Sequence, residues 1–297
     1  MLSGPISGRK NFSGPSIPSL PGKGDSVGSF EKRTLVSAVL ILFVLAAIFL
    51  FPAWAFCLII SVFTASGLME FFGMAEKKGL FVYRGLGAFG GCLLPVVVFA
   101  GNLIPGANGL EPILIAVLGF SAMLLQFRRK GEKRDHLTSM ALILFGLFYI
   151  AWFFSFFVKL RLLPGGPGLI AFVVFVTKGA DIGAYLAGSR FGHTKLIPRI
   201  SPGKTLEGTA GGVLMSVIIA LFAGKYLTSL GAFELIASGL VLSVLGQLGD
   251  LVESLIKRDC GVKDSGRAFP GIGGVMDLID SLLFTGPVFY FYITMVR

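Results

Sequence analysis

Residues 249–258 read GDLVESLIKR, and residues 275–281 read VMDLIDS. The first stretch ends one long apolar run and the second begins the next, with a polar, glycine-containing and basic segment between them. Carboxylates stand at the inner edges of both runs: Asp250, Glu253, Asp277 and Asp280. Charged side chains are costly in a bilayer and normally face a bundle interior or a water-filled cavity. This combination of charge and apolar sequence marks the candidate site.

The composition is that of a membrane protein rather than a soluble domain. Of the 297 residues, 54% are hydrophobic and only 14% are charged, and the mean hydropathy is +0.84. The apolar residues come in blocks close to the roughly 20 residues that cross a bilayer as a helix. The sequence therefore predicts an all-α, polytopic membrane bundle. The net charge of +10 lies mostly between the apolar runs, so no nucleic-acid partner is expected.

Nine apolar runs predict about nine transmembrane helices. They cover residues 34–51, 53–72, 86–105, 112–127, 137–158, 168–188, 207–229, 232–256 and 277–296. Residues 1–33 are rich in Gly, Ser and Pro, which predicts a disordered, polar and basic tail. We divide the remainder into N-terminal transmembrane helices over 34–165 and a C-terminal transmembrane region over 166–297, which contains the candidate site.

The positive charges predict the orientation in the membrane. With the N-terminus inside, nearly all lysines and arginines outside the runs fall on the cytoplasmic side. The opposite side holds only Lys159, Arg161, Lys225 and Arg297. The positive-inside rule therefore favours an N-in, C-out chain in the cell (inner) membrane. Loops 189–206 and 257–276 then place the candidate site on the cytoplasmic side.

Three pairs of charged residues inside the runs share the spacing i, i+3. They are Lys178/Asp181, Asp250/Glu253 and Asp277/Asp280, and Glu70 is a further charge within a run. On a helix this spacing places both members on one face. Two acidic pairs facing one cavity would repel each other unless a cation lay between them, and Mg²⁺ prefers such oxygen ligands. Alternatively, the carboxylates pair with Lys257 and Arg258 in the headgroup region, and Lys178 with Asp181 is a structural pair.

The loop from Ser201 to Thr205 reads SPGKT and predicts an anion site. It resembles the end of a P-loop, but Pro198 stands where the upstream glycine would be, so no Walker fold is inferred. Backbone N–H groups, a hydroxyl and Lys204 at the mouth of a helix still suit a phosphate. A solvated loop is the alternative.

Several other classes of site find no support. The cysteines Cys57, Cys92 and Cys260 have no paired or metal-like spacing, which argues against a disulfide framework or a zinc site. His136 and His193 show no partner spacing, and neither a serine-hydrolase nor a zincin motif occurs.

Taken together, the motifs resemble the signature of the phosphatidate cytidylyltransferase (CDP-diacylglycerol synthase) family. The residues in register are Ser254, Ile256, Lys257, Arg258, Lys263, Asp264, Gly266, Phe269, Pro270, Gly273, Gly274, Val275, Asp277, Ile279 and Asp280. Residues 180–185 and 201–208 resemble the same family, and the likeness covers roughly residues 175–290. Two positions depart from the pattern: Ile272 replaces a histidine and Leu278 an arginine.

The resemblance implies transfer of the cytidylyl group of CTP to the membrane lipid phosphatidate, giving CDP-diacylglycerol and pyrophosphate. It implies a Mg²⁺ site at Asp250, Asp277 and Asp280, with a second cation left open, and a catalytic role for these residues and Lys204. Substrate-binding positions would be Asp181, Ser201, Thr205, Lys257, Arg258, Lys263 and Asp264.

Three other functions remain open at this point. A CTP-dependent polyprenol kinase would transfer the γ-phosphoryl group instead, and a secondary transporter would show a repeat between halves, which the sequence lacks. The replacements at Ile272 and Leu278 allow an inactive homologue. A homodimer is also left open, since Gly87/Gly91 and Gly208/Gly212 fit small-xxx-small packing, which more often serves contacts within one bundle.

Overall fold

Long helices make up most of the chain. The computed structural model describes residues 23–104, 106, 109–128, 135–269 and 273–296. The helices are α1 (Lys23–Phe49), α2 (Ala53–Lys77), α3 (Arg84–Leu103), α4 (Leu110–Phe127), α5 (His136–Gly146), α6 (Phe153–Leu162), α7 (Gly166–Phe191), α8 (Leu206–Leu227), α9 (Ala232–Asp259) and α10 (Val275–Val296). A π-helical segment, Leu147–Trp152, joins α5 and α6 into one rod over His136–Leu162.

The predicted multi-pass helical fold is confirmed, and eight of the nine predicted spans are recovered. In the described ranges, eight helices are long and apolar enough to cross a membrane. The apolar part of α1, Thr34–Phe49, is helical but shorter than those eight. That α1 crosses the membrane therefore stays a prediction, because the apolar part of this helix is shorter than the other eight.

The N-terminal boundary differs from the prediction. Helix α1 begins at Lys23, so residues 23–33 are helical rather than part of a disordered tail. No proline occurs between Lys23 and Phe49, and an existing helix extends at little cost once its nucleus has formed. Residues 1–22 of the predicted tail lie outside the described residues.

The C-terminal helices enclose the candidate site. Helix α10 packs against α9, α7, α6 and α2, and α8 lies between α7 and α9. The α2–α3, α7–α8 and α9–α10 connections lie at one end of the bundle, where Arg258 near the end of α9 is directed to the carbonyl of Ile200 in the α7–α8 connection. At that end, Lys78 after α2 forms an ion pair with Asp259 at the end of α9.

Glycines allow α7 and α8 to pack at backbone distance. A Cβ on Gly183 would lie 2.8 Å from the carbonyl oxygen of Gly211, and one on Gly211 would lie 3.0 Å from that of Gly183. A Cβ on Gly212 would lie 2.9 Å from the Ala180 carbonyl oxygen. Gly87 and Gly91 likewise face Phe72 and Leu68 of α2. Both small-residue motifs thus serve contacts within one chain.

A short hairpin interrupts the all-α architecture. Strand β1 (Lys195–Ile197) pairs antiparallel with β2 (Ser201–Thr205), which leads directly into α8. The hairpin was not predicted, because SPGKT has low β-propensity and reads as a loop. The hydroxyl of Thr205 accepts a hydrogen bond from Gly208 N–H at 3.1 Å and so caps α8.

Candidate active site and metal centre

The site forms where the end of α9 meets the start of α10. A Cβ on Gly249 would collide with the main chain of Asp280, so the helices approach this closely only because residue 249 is glycine. The next residue, Asp250, and Glu253 one turn later face Asp280 across this contact. The close approach thus assembles carboxylates from two helices.

These three carboxylates form an acidic cluster. Oxygens of Asp250, Glu253 and Asp280 all lie within 4.8 Å of one another. Glu253 is 1% exposed and Asp280 is 6% exposed. The Oε1 atom of Glu253 is buried and has no hydrogen-bond partner among the described residues. An unpaired carboxylate oxygen is costly to bury, and a bound cation would satisfy it.

The acidic cluster therefore fits a divalent cation such as Mg²⁺. Carboxylate oxygens are the ligands that Mg²⁺ accepts, and it usually completes its shell with water and substrate phosphates. The predicted ligands Asp250 and Asp280 are brought together as expected. The third member, however, is Glu253 rather than Asp277.

Asp277 lies to the side of the acidic cluster, engaged by the α9–α10 loop. Its Oδ2 accepts hydrogen bonds from Gly274 N–H at 2.7 Å and from the Ser265 hydroxyl at 2.8 Å. Its Oδ1 lies 2.6 Å from the Lys257 ammonium. The i, i+3 rule placed Asp277 and Asp280 on one face. The spacing did not predict that Asp277, in the first turn of α10, would accept a hydrogen bond from the N–H of Gly274, the residue before the helix.

Lysines surround the acidic cluster. Lys204, at the end of the hairpin, lies 2.7 Å from Asp250 Oδ2. Lys257 lies 2.7 Å from Glu253 Oε2 and so bridges Glu253 to Asp277. Both lysines are mostly buried, with side chains 22% and 12% exposed. The arrangement places two lysine ammonium groups beside carboxylates that could hold a cation, a combination that suits a polyphosphate.

A second polar group on α7 adjoins the acidic cluster. The Lys178 ammonium donates to the Ser281 hydroxyl at 2.8 Å, and it lies 3.4 Å from Asp181 and 4.0 Å from Asp280. The predicted Lys178–Asp181 pair is thus present, and it joins α7 to α10. Ser281 lies 3.5 Å from Asp181, which puts this predicted substrate-binding residue next to the acidic cluster.

The remaining predicted substrate-binding residues lie in the hairpin and the α9–α10 loop. Arg258 is exposed, and its guanidinium is directed to the carbonyls of Ile200 and Val262. Lys263 and Asp264 are exposed on the loop. Ser201 is half-buried in β2.

Thr205, a predicted substrate-binding residue, lies at the start of α8. The side chain is buried, and its oxygen caps α8 rather than facing an open cavity. Of the two departures from the family pattern, Leu278 packs against the hydrophobic core. Ile272 lies outside the described residues.

Two residues at the site, Glu70 and Ser265, were assigned no role in the sequence analysis. Glu70 of α2 accepts hydrogen bonds from Val275 N–H and Met276 N–H, at 2.9 and 2.8 Å. Ser265 donates to Glu70 at 3.0 Å. The available signal for Glu70 was its charge inside an apolar run, but no spacing connects it to residues far along the chain.

Fold and site together define a multi-pass membrane protein with a centre suited to a cation and a phosphorylated ligand. The chain belongs to the cytidylyltransferase family, whose model matches residues 31–296. That match includes all three carboxylates of the acidic cluster and the flanking lysines.

Three curated proteins are similar to this chain over most of its length. The chain is 39% identical over 198 residues to the uncharacterized protein YnbB of Escherichia coli, a match that covers 64% of this chain and 66% of that protein. It is 38% identical over 192 residues to the phosphatidate cytidylyltransferase of Bacillus subtilis, covering 64% and 70%. It is 32% identical over 282 residues to the phosphatidate cytidylyltransferase of Haemophilus influenzae, covering 88% and 98%.

Proposed function

We propose that this protein transfers the cytidylyl group of CTP to phosphatidate, giving CDP-diacylglycerol and pyrophosphate. The observation that carries the proposal is the acidic cluster, with its unpaired Glu253 oxygen, placed between Lys204 and Lys257. Membership of the cytidylyltransferase family supports it, as do the relatives named phosphatidate cytidylyltransferase.

The reaction is an in-line displacement at phosphorus. A phosphate oxygen of the lipid forms a bond to the α-phosphorus of CTP, and the bond to the β-phosphate oxygen breaks. The attacking phosphate is already ionised near neutral pH, so the protein needs no general base. Positioning and neutralisation of charge supply most of the catalysis in such transfers.

The residues of the site divide this work. Asp250, Glu253 and Asp280 would hold Mg²⁺, which neutralises phosphate charge when bound. A second cation stays an open part of the proposal. Lys204 would exchange its ion pair with Asp250 for a CTP phosphate oxygen.

Lys257 would bind phosphate, while Asp277 and Glu253 hold the Lys257 ammonium in position. Arg258, Lys263 and Asp264 would lie near the triphosphate or the lipid headgroup at the mouth of the site. Asp181, together with Lys178, would support Asp280 from α7, and Ser201 would contribute from the hairpin.

The proposal includes an inner-membrane location with the site facing the cytoplasm. The connections at the site end of the bundle carry an excess of lysine and arginine, which supports this orientation. A water-soluble triphosphate and a lipid phosphate can meet only at such an interface. The small-residue motifs are used within the chain and lend no support to a homodimer.

The deciding experiment uses purified protein in detergent with phosphatidate, Mg²⁺ and CTP labelled at either the α or the γ phosphate. We expect α-label in a CDP-lipid and γ-label in pyrophosphate, with both products abolished by EDTA. Transfer of γ-label to a lipid would indicate a kinase instead. CTP binding without any transfer to phosphatidate would contradict the proposal and favour an inactive homologue.

A further inference from the structure

Glu70 is half-buried and connects the N-terminal half of the chain to the candidate site. It lies in the C-terminal third of α2, at the site end of the bundle, and both of its oxygens accept hydrogen bonds from the start of α10. Three bonds converge on it, from Val275 N–H, Met276 N–H and the Ser265 hydroxyl. This carboxylate is therefore engaged with a segment more than 190 residues away.

Glu70 acts as the cap of α10. The first N–H groups of a helix have no partner within that helix, and the residue before it normally supplies a side-chain acceptor. Here that residue is Gly274, which has no side chain to offer. Asp277 accepts the N–H of Gly274, and Glu70 accepts the next two. A negative charge at this end also suits the helix dipole.

The α9–α10 loop is shaped to receive Glu70. A Cβ on Gly266 or on Gly274 would collide with the Glu70 carboxylate, and the one on Gly274 would also collide with the Ser265 hydroxyl. Both glycines therefore allow the loop to close around the carboxylate. The close fit gives a reason for glycine at two positions where the backbone conformation itself does not demand it.

A continuous chain of contacts runs from Glu70 to the lysine of the site. The Ser265 hydroxyl lies 3.0 Å from Glu70 and 2.8 Å from Asp277. Asp277 lies 2.6 Å from the ammonium of Lys257. Displacing Glu70 would free the loop that holds Asp277, and so would alter where Lys257 points.

We propose that Glu70 is a positioning residue for the reaction, holding the α9–α10 loop so that Asp277 directs Lys257 at the phosphates of CTP. This inference rests on the proposed function. It concerns binding of CTP rather than the metal, because Glu70 contacts the loop and not the acidic cluster.

The test compares Glu70→Gln and Ser265→Ala with Glu76→Gln. Glu76 is an exposed carboxylate on the same helix, paired with Arg84 at 3.4 Å. We expect Glu70→Gln to raise the KM for CTP about tenfold, with a smaller change in kcat and an unchanged Mg²⁺ midpoint, as for loss of a supporting contact. Ser265→Ala should raise the KM for CTP in the same direction. Glu76→Gln should match the wild type.

A ligand-free measurement accompanies the kinetics. In protein that keeps Cys260, at the start of the loop, as its one cysteine, we expect Glu70→Gln to increase the rate of maleimide labelling. An unchanged KM for CTP together with an unchanged labelling rate would overturn the inference. If the wild type transfers no label to lipid, the proposed function fails. The role of Glu70 can then still be tested by comparing Glu70→Gln with the wild type in equilibrium binding of CTP and in the rate of maleimide labelling.

Discussion

At the scale of single residues, the four carboxylates of the site separate into two functions. Asp250, Glu253 and Asp280 share a space that suits a cation, whereas Asp277 is fully engaged by Lys257, Ser265 and Gly274. A residue whose oxygens already hold a lysine and two donors has little capacity left for a metal. The geometry therefore predicts that the two kinds of carboxylate respond differently to substitution.

The comparison of Asp280→Asn with Asp277→Asn tests this division. We expect Asp280→Asn to raise the Mg²⁺ concentration at half-maximal activity at least about tenfold, since it removes a charged ligand. Asp277→Asn should leave that Mg²⁺ midpoint near the wild-type value and weaken CTP binding, since it frees Lys257. Activity titrated against Mg²⁺ at saturating CTP measures the Mg²⁺ midpoint of both variants, and activity titrated against CTP measures the weaker CTP binding.

The assignment from sequence makes the opposite prediction for Asp277. A Mg²⁺ midpoint raised equally in both variants would restore Asp277 to the metal site and exclude the arrangement described here. The Glu76→Gln variant serves as a control for loss of a carboxylate outside the site, because Glu76 is exposed and its ion-pair partner is Arg84.

What the sequence could predict at this scale depended on local spacing. Asp250 and Asp280 were identified because charge inside an apolar run is costly. Glu253 was left undecided, because pairing with Lys257 explained it equally well, and the structure shows that pair alongside the unpaired oxygen. Glu70 could not be assigned, since its partners lie more than 190 residues away and no local pattern records such a contact.

At the scale of helices, the approach of α9 to α10 at Gly249 sets the geometry of the acidic cluster. We expect Gly249→Ala to lower the thermal unfolding midpoint and to remove most activity. The added methyl collides with the Asp280 backbone, and such overpacking costs typically about 1–3 kcal/mol. Melting in detergent and transfer of α-label measure the two effects.

Gly85→Ala is the matched control for that substitution. Gly85 lies in α3 with open space where a Cβ would stand, so alanine should leave the midpoint unchanged or raise it through better helix propensity. Equal behaviour of the two variants would mean that the α9–α10 distance is not held by Gly249.

The elements themselves were predictable to different degrees. Apolar runs of about 20 residues identify membrane helices directly, and eight were recovered. The hairpin and the π-helical segment Leu147–Trp152 were not foreseen. Their conformations are set by the helices packed around them rather than by local propensity, and that packing is absent from a single sequence.

At the scale of the whole molecule, the orientation can be tested with single cysteines. In protein whose native cysteines are replaced by alanine, we expect Lys263→Cys to react with a membrane-impermeant maleimide only after cells are permeabilised. Lys263 is exposed on the loop at the site end. Gly231→Cys, exposed at the opposite end of α9, should react in intact cells.

Labelling of Lys263→Cys in intact cells would contradict a cytoplasmic site. Labelling of both positions in intact cells would instead indicate a leaky membrane, which a cytoplasmic marker protein with a single exposed cysteine would reveal. The experiment also decides the side of the hairpin, since Lys204 in the hairpin and Lys257 in the last turns of α9, which lead into the loop, contact the same acidic cluster.

The charges of α7 have a consequence for how the chain is made. Lys178 meets Ser281 only after another 103 residues have been synthesised, which takes roughly 5–20 seconds at about 5–20 residues per second. Until α10 arrives, α7 holds an ammonium and a carboxylate in the bilayer with only each other as partners. A chain that ends between Asp181 and residue 275 never gains the partners that α10 supplies. We therefore expect a stop codon in this part of the gene to lead to degradation of the polypeptide rather than to a stable fragment.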